Sequence, residues 1–147
     1  MTVFDKADWH AGGEFPAELP ASAAATHIGM FLAWCAQSGL MRDKVLTSHL
    51  AALHSRTLTP GTFVLTAADG VLSTDLLSGE GVAFASAYYG LPGDELEEAS
   101  YEDDYVDVFL DDGETIYHVP DTWSSFDRIS PVIDLRYSQM RGRLLFP

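Results

Sequence analysis

Residues 26–40, THIGMFLAWCAQSGL, limit what this chain can fold into more than any other stretch. Ile28 to Ala36 is an apolar run about half as long as the roughly 20 residues a membrane helix needs, yet too apolar for a surface helix. Thr26 suits an N-cap. Gly39 stands where a C′ residue belongs, with Leu40 after it to close back on Cys35 or Trp34. Gly29, Ala33 and Ala36 form a stripe of small residues that lets a second helix approach closely. Ile28, Phe31, Leu32 and Cys35 form a bulky stripe beside it. The pattern predicts a central helix buried on most sides, with Cys35 an inert core thiol. His27, in the first turn, faces the positive end of the dipole and is read as a neutral histidine bonded to backbone or to the N-terminal arm.

Around that helix the sequence predicts a mainly α single-domain helical bundle with an irregular N-terminal arm and at most one small β-hairpin. The length of 147 residues suits one domain. Gly12, Gly13, Pro16 and Pro20 punctuate residues 1–22, an ordered arm with Trp9, Phe15 and Leu19 to pin it down. Further helices are expected over 42–54, from Pro60 to a turn at Ala68-Asp69-Gly70, after a cap at Thr74 or Ser78, and within 94–109. TIYHV, 115–119, reads as a short strand or extended segment. Asp121 is placed to cap TWSSFDRI, and Ser130-Pro131 to open a last helix through about Arg141. The role of the tail 141–147 stays open.

Charge narrows the choice of partner. Eight Lys and Arg against 22 Asp and Glu give a formal charge of −14. That balance disfavours nucleic acid and anionic membrane and favours basic partners. No Lys or Arg occurs from Thr57 to Asp127, while residues 94–114 hold half of all the acids. Tyr101, Tyr105 and Phe109 interleave with these acids at spacing four, forming either an aromatic docking stripe or the core face of a helix. On the first reading, Glu102, Asp103, Asp104, Asp107, Asp111, Asp112 and Glu114 bind a basic partner, and their mutual repulsion has no local base to relieve it.

Catalytic signatures are missing. The chain has no HExxH, GxxxxGK, GxGxxG or CxxC, its acidic run does not fit an EF-hand loop, and its five histidines lack ligand spacing. Ser124, His118 and Asp121 lie close in sequence but without the strained elbow a serine nucleophile needs. No catalytic residue, metal or cofactor is expected. One cysteine excludes an internal disulfide, and the first 15 residues do not read as a signal peptide, so the expected location is the cytoplasm.

Three blocks, WHAGGEFPAELP (9–20), THIGMFLAWC (26–35) and YHVPDTWSSFDRIS (117–130), together resemble a family of small bacterial proteins similar to the immunity proteins of polymorphic or contact-dependent toxin systems. The resemblance implies an inhibitor that neutralises a cognate toxin of a competing bacterium by occlusion, the toxin being basic around its active site. It supplies no catalytic residues. Trp9, His10, His27, Tyr117, His118, Asp121 and Trp123 are expected to meet, either as a structural clasp or as a lined pocket for a small ligand or an enzymatic site. A clasp is filled, whereas a pocket keeps a void with polar groups converging on it. Self-association is left undetermined.

Overall fold

A computed structural model describes residues 1–110 and 114–145. In chain order they form β1 (Val3–Lys6), α1 (Ala7–Ala11), α2 (Thr26–Gln37), α3 (Thr47–His54), α4 (Pro60–Ala68), β2 (Val71–Ser73), α5 (Gly79–Tyr88), α6 (Tyr101–Phe109) and α7 (Trp123–Leu145). Short 3₁₀ turns precede α2, follow β2 and precede α7. The fold is mainly α with one two-stranded antiparallel ribbon, β1–β2. The ribbon's strands are joined by the intervening helices and not by a tight hairpin turn.

Helix α2 is the core. Every residue from Thr26 to Ala36 is buried, and Cys35 has no exposed surface. Burial pushes the Cys35 thiol far above the ordinary range, which leaves it inert. Gly39 adopts φ +74° and the helix closes by a Schellman motif. In it the Leu40 N–H donates to the Cys35 carbonyl at 2.9 Å and the Gly39 N–H to Ala36 at 3.4 Å. At the other end Thr26 is not the cap: a 3₁₀ turn over Ala21–Ala25 runs directly into the helix and extends its burial.

The small stripe on α2 receives α4. A Cβ on Gly29 would lie 2.2 Å from the Pro60 carbonyl oxygen, so the first turn of α4 packs directly on helix backbone. Asp121 holds that turn from behind, contrary to the expected capping of the last helix. Its carboxylate accepts the Gly61 N–H at 2.7 Å and the Thr59 hydroxyl at 2.6 Å, placing a negative charge at the N-terminus of α4. Thr122 caps α7 instead, its hydroxyl accepting the Ser125 N–H at 3.1 Å. Ser78 caps α5 by accepting the Gly81 N–H.

Several boundaries differ from the sequence reading, each for a local reason. The arm contains β1 and α1, because the backbone of Val3–Lys6 finds its partner in Val71–Ser73, far along the chain. The second helix starts only at Thr47, since Lys44 and Leu46 are held at positive φ. Residues 116–118 form a 3₁₀ turn in place of a strand; His118 bonds back to Thr115 and tightens it. The last helix is continuous from Trp123 with Pro131 inside it. Pro131 is exposed, so the carbonyl its missing N–H leaves unbonded can turn to water.

Candidate functional site

The N-terminal strand carries the first site residue, and an irregularity places it. The β1–β2 register shifts between Val3 and Asp5, and the neighbouring residues Phe4 and Asp5 are both buried. A regular strand would send them to opposite faces; the bulge turns both inward. Asp5 then accepts four hydrogen bonds. The Lys6 N–H (2.9 Å) and His10 Nε2 (2.7 Å) reach Oδ1, while His27 Nε2 (3.2 Å) and the Tyr89 hydroxyl reach Oδ2. His10 comes from α1, His27 from the first turn of α2, and Tyr89 from the end of α5. With Nε2–H donating to Asp5, His10 Nδ1 accepts from the Tyr117 hydroxyl at 2.6 Å. The two imidazoles meet edge to face, with centroids 4.6 Å apart.

Electrostatics fix the protonation of this cluster. Burial raises the Asp5 carboxyl, but hydrogen bonds from His10, His27 and Tyr89 outweigh it and hold the group well below the carboxylate range. For His27 burial dominates the pull of Asp5 and lowers the imidazole, which stays neutral. Burial, Asp5 and Glu102 together raise the Tyr117 phenol. Asp5 is therefore an anionic centre beside a neutral His27 and the un-ionised phenols of Tyr89 and Tyr117, suited to holding a cation.

Linkage sets a pH prediction. The unfolded chain protonates His27 near about 6.5, whereas the folded chain keeps it neutral, so stability falls as pH drops below that value. Asp5, depressed in the fold, withdraws its contribution only below about 3.9. Between pH 7 and 5 the wild type is expected to lose more stability than His27→Gln. Urea midpoints at the two pH values check this; equal losses in the two proteins would contradict it.

Void and groove distinguish this cluster from a filled clasp. A cavity of about 60 Å³ is lined by Asp5, His10, His27, Tyr89, Tyr101, Glu102, Tyr105 and Ile116. Two of these buried side chains, through His27 Nδ1 and the Tyr105 hydroxyl, have atoms with no partner among the described residues. Each such atom costs about 1–3 kcal/mol if dry, and a water needs only about 10–15 Å³. Outside lies an open groove of about 450 Å³, sharing Asp5, His10, Tyr89 and Glu102 with the cavity and adding Trp9, Asp94, Glu98 and Asp103. The groove lining holds five carboxylates and no Lys or Arg. Trp9 on its rim is 50% exposed.

Of the expected clasp, only His10, His27 and Tyr117 come together at this centre, with Trp9 beside it. His118 bonds Glu18 at 3.0 Å, and Trp123 donates to the Leu58 carbonyl at 3.0 Å. With Asp121 bound to Thr59 and Gly61, no Ser124–His118–Asp121 triad forms. Asp5 and Tyr89 are site residues that sequence reasoning missed. Strand alternation hid the first, and the second is an aromatic on a helix face already read as core.

The acidic segment divides in two. Asp104 is not on a docking face: it is buried and accepts two bonds from Arg136, at 2.8 and 2.9 Å, and one from Tyr88 at 2.6 Å. The bases absent from the local sequence arrive on α7, where Arg136 meets Asp104, Arg143 meets Glu98 and Arg141 meets Glu80. Tyr101 and Tyr105 are buried and Phe109 is half-buried against the core, so the aromatic stripe faces inward. Asp103 remains exposed while closing a capping box with Ser100. Glu102, Asp107 and Glu114 are exposed, and Asp111 and Asp112 lie outside the described residues. Among the described residues no helix is long and apolar enough to cross a membrane.

No curated protein and no solved structure matches the chain. A family model described as a domain of unknown function (DUF7832) matches residues 3–119, which hold Asp5, His10, His27, Tyr89 and Tyr117 and stop short of α7. Because that match spans about four fifths of the sequence, the chain belongs to the DUF7832 family.

Proposed function

We propose that this protein is an immunity-type inhibitor acting in the cytoplasm, which neutralises a cognate bacterial toxin by seating a cationic side chain of the toxin in the Trp9–Glu102 groove and occluding its active site. The observation that carries the reading is the groove lining, five carboxylates of which Glu98 alone is paired with an arginine of α7, with no Lys or Arg in the lining itself. All four arginines of α7 contact other groups: Arg128 bonds the Val108 carbonyl, and the remaining three pair with acids. The field over the groove steers a basic partner, and the exposed Trp9 ring, with Lys6 Nζ already 5.9 Å from its centroid, supplies an aromatic anchor. A small-molecule enzyme site is less well supported. The inner cavity of about 60 Å³ is far below the roughly 300 Å³ of ordinary ligand pockets, and the adjoining groove of about 450 Å³ is open to solvent.

The test pairs the chain with the toxin encoded beside it. Wild type should protect cells that express the toxin, and Glu102→Lys with Trp9→Ala should not, although the variant folds. Association of the purified proteins should slow at least tenfold in the variant at low salt. The gap should narrow as salt shortens the field to about 8 Å and below. Unchanged protection with salt-independent rates would contradict the proposal.

A further inference from the structure

We propose that Asp5, His10 and His27 form a binding site for a divalent transition-metal ion of the zinc class. The three side chains offer one ligand atom each, all within 4.8 Å of one another. Asp5 Oδ1 lies 2.7 Å from His10 Nε2, and Asp5 Oδ2 lies 3.2 Å from His27 Nε2. Tetrahedral metal–ligand bonds of about 2.0–2.2 Å set ligand–ligand edges of about 3.3–3.6 Å, so the two Asp5–imidazole distances need little change and the imidazole–imidazole edge, within 4.8 Å, closes by about 1.5 Å or less. Two imidazoles and one carboxylate are a donor set suited to such ions.

The surroundings are those of a built site. The Lys6 N–H and the Tyr89 hydroxyl each hold one oxygen of the carboxylate and so orient it. With Nε2 on the metal each imidazole carries its proton on Nδ1, and on His10 that proton meets the Tyr117 hydroxyl already 2.6 Å away. His27 Nδ1, buried and without a partner among the described residues, can take the proton, and the cavity beside it gives room for further small ligands. Glu102 on the cavity wall adds negative charge. This site needs no toxin and stands whether or not the groove docks one.

The experiment titrates the full chain with Zn²⁺ alone, and with Co²⁺ as a visible probe. Calorimetry should give one ion per chain, and the melting temperature should rise by about 5 °C or more at a hundredfold excess over Kd. His10→Gln should weaken binding at least a hundredfold and abolish the Co²⁺ band. His49→Gln with His54→Gln should leave both unchanged. Because His10 is partly exposed, its substitution is expected to fold, and if it does not, retention or loss of the ion in His49→Gln with His54→Gln decides the matter. No stoichiometric binding below about 100 μM (roughly 5.5 kcal/mol) would overturn the site. Binding that survives His10→Gln and disappears with His49 and His54 would overturn it equally.

Discussion

Asp104→Lys should cost about 3–5 kcal/mol of stability, the range for breaking a buried ion pair. The substitution sets a second cation against Arg136 and leaves the Tyr88 hydroxyl without its acceptor. Arg136 keeps some water, its side chain being 28% exposed, but the Asp104 side chain is only 5% exposed and cannot bring a lysine out to solvent cheaply. The exposed Asp107, one turn further along α6, gives the opposite expectation. Asp107→Lys removes repulsion and should be neutral or slightly stabilising. Urea midpoints of the two variants make the comparison, and equal stability would mean that the Asp104–Arg136 pair is not the bond fastening α6 to α7.

Gly29→Ala should be nearly as damaging, at about 3 kcal/mol, the upper part of the usual range for overpacking. The added carbon would meet the Pro60 carbonyl at 2.2 Å and the Gly61 Cα at 2.8 Å, and both are backbone atoms that cannot rotate aside. Nor can α4 simply lift, because Asp121 grips Thr59 and Gly61 from its other side. Ala33→Gly, in the same stripe, should cost only about 1 kcal/mol through helix propensity, plus the loss of one buried methyl. If Gly29→Ala melts like wild type, the close crossing of α2 and α4 is wrong.

These two cases mark where the sequence was readable. Helix α2, its Schellman end and its small stripe were legible because each rests on residues within a few positions of one another. The same holds for Pro60 opening α4 and Ser78 capping α5. What required the folded chain was pairing over distance. No local signal announces that Val3–Lys6 will meet Val71–Ser73, that a bulge will turn Asp5 inward, or that Arg136 will neutralise Asp104. Pro131 misled because proline normally marks a helix start, whereas here the packed face of α7, with Phe126, Ile129 and Ile133 buried, carries the helix through it. The histidines looked unconnected for the same reason: His10 and His27 lie on different helices and converge only on Asp5.

The most direct test of the central claim is to ask where a cation lands. Backbone and indole NMR signals would be followed while an arginine-rich peptide is titrated into the protein at low salt, and again at about 0.5 M salt, where screening falls to a few ångströms. The predicted result is a saturable set of shifts confined to the Trp9 indole N–H and the amides of His10, Gly90, Glu102 and Asp103, strongly reduced by salt and lost in Glu102→Lys. Shifts spread equally over the exposed acids Asp43, Asp69 and Asp75, or unchanged by Glu102→Lys, would contradict a groove built to receive a basic partner.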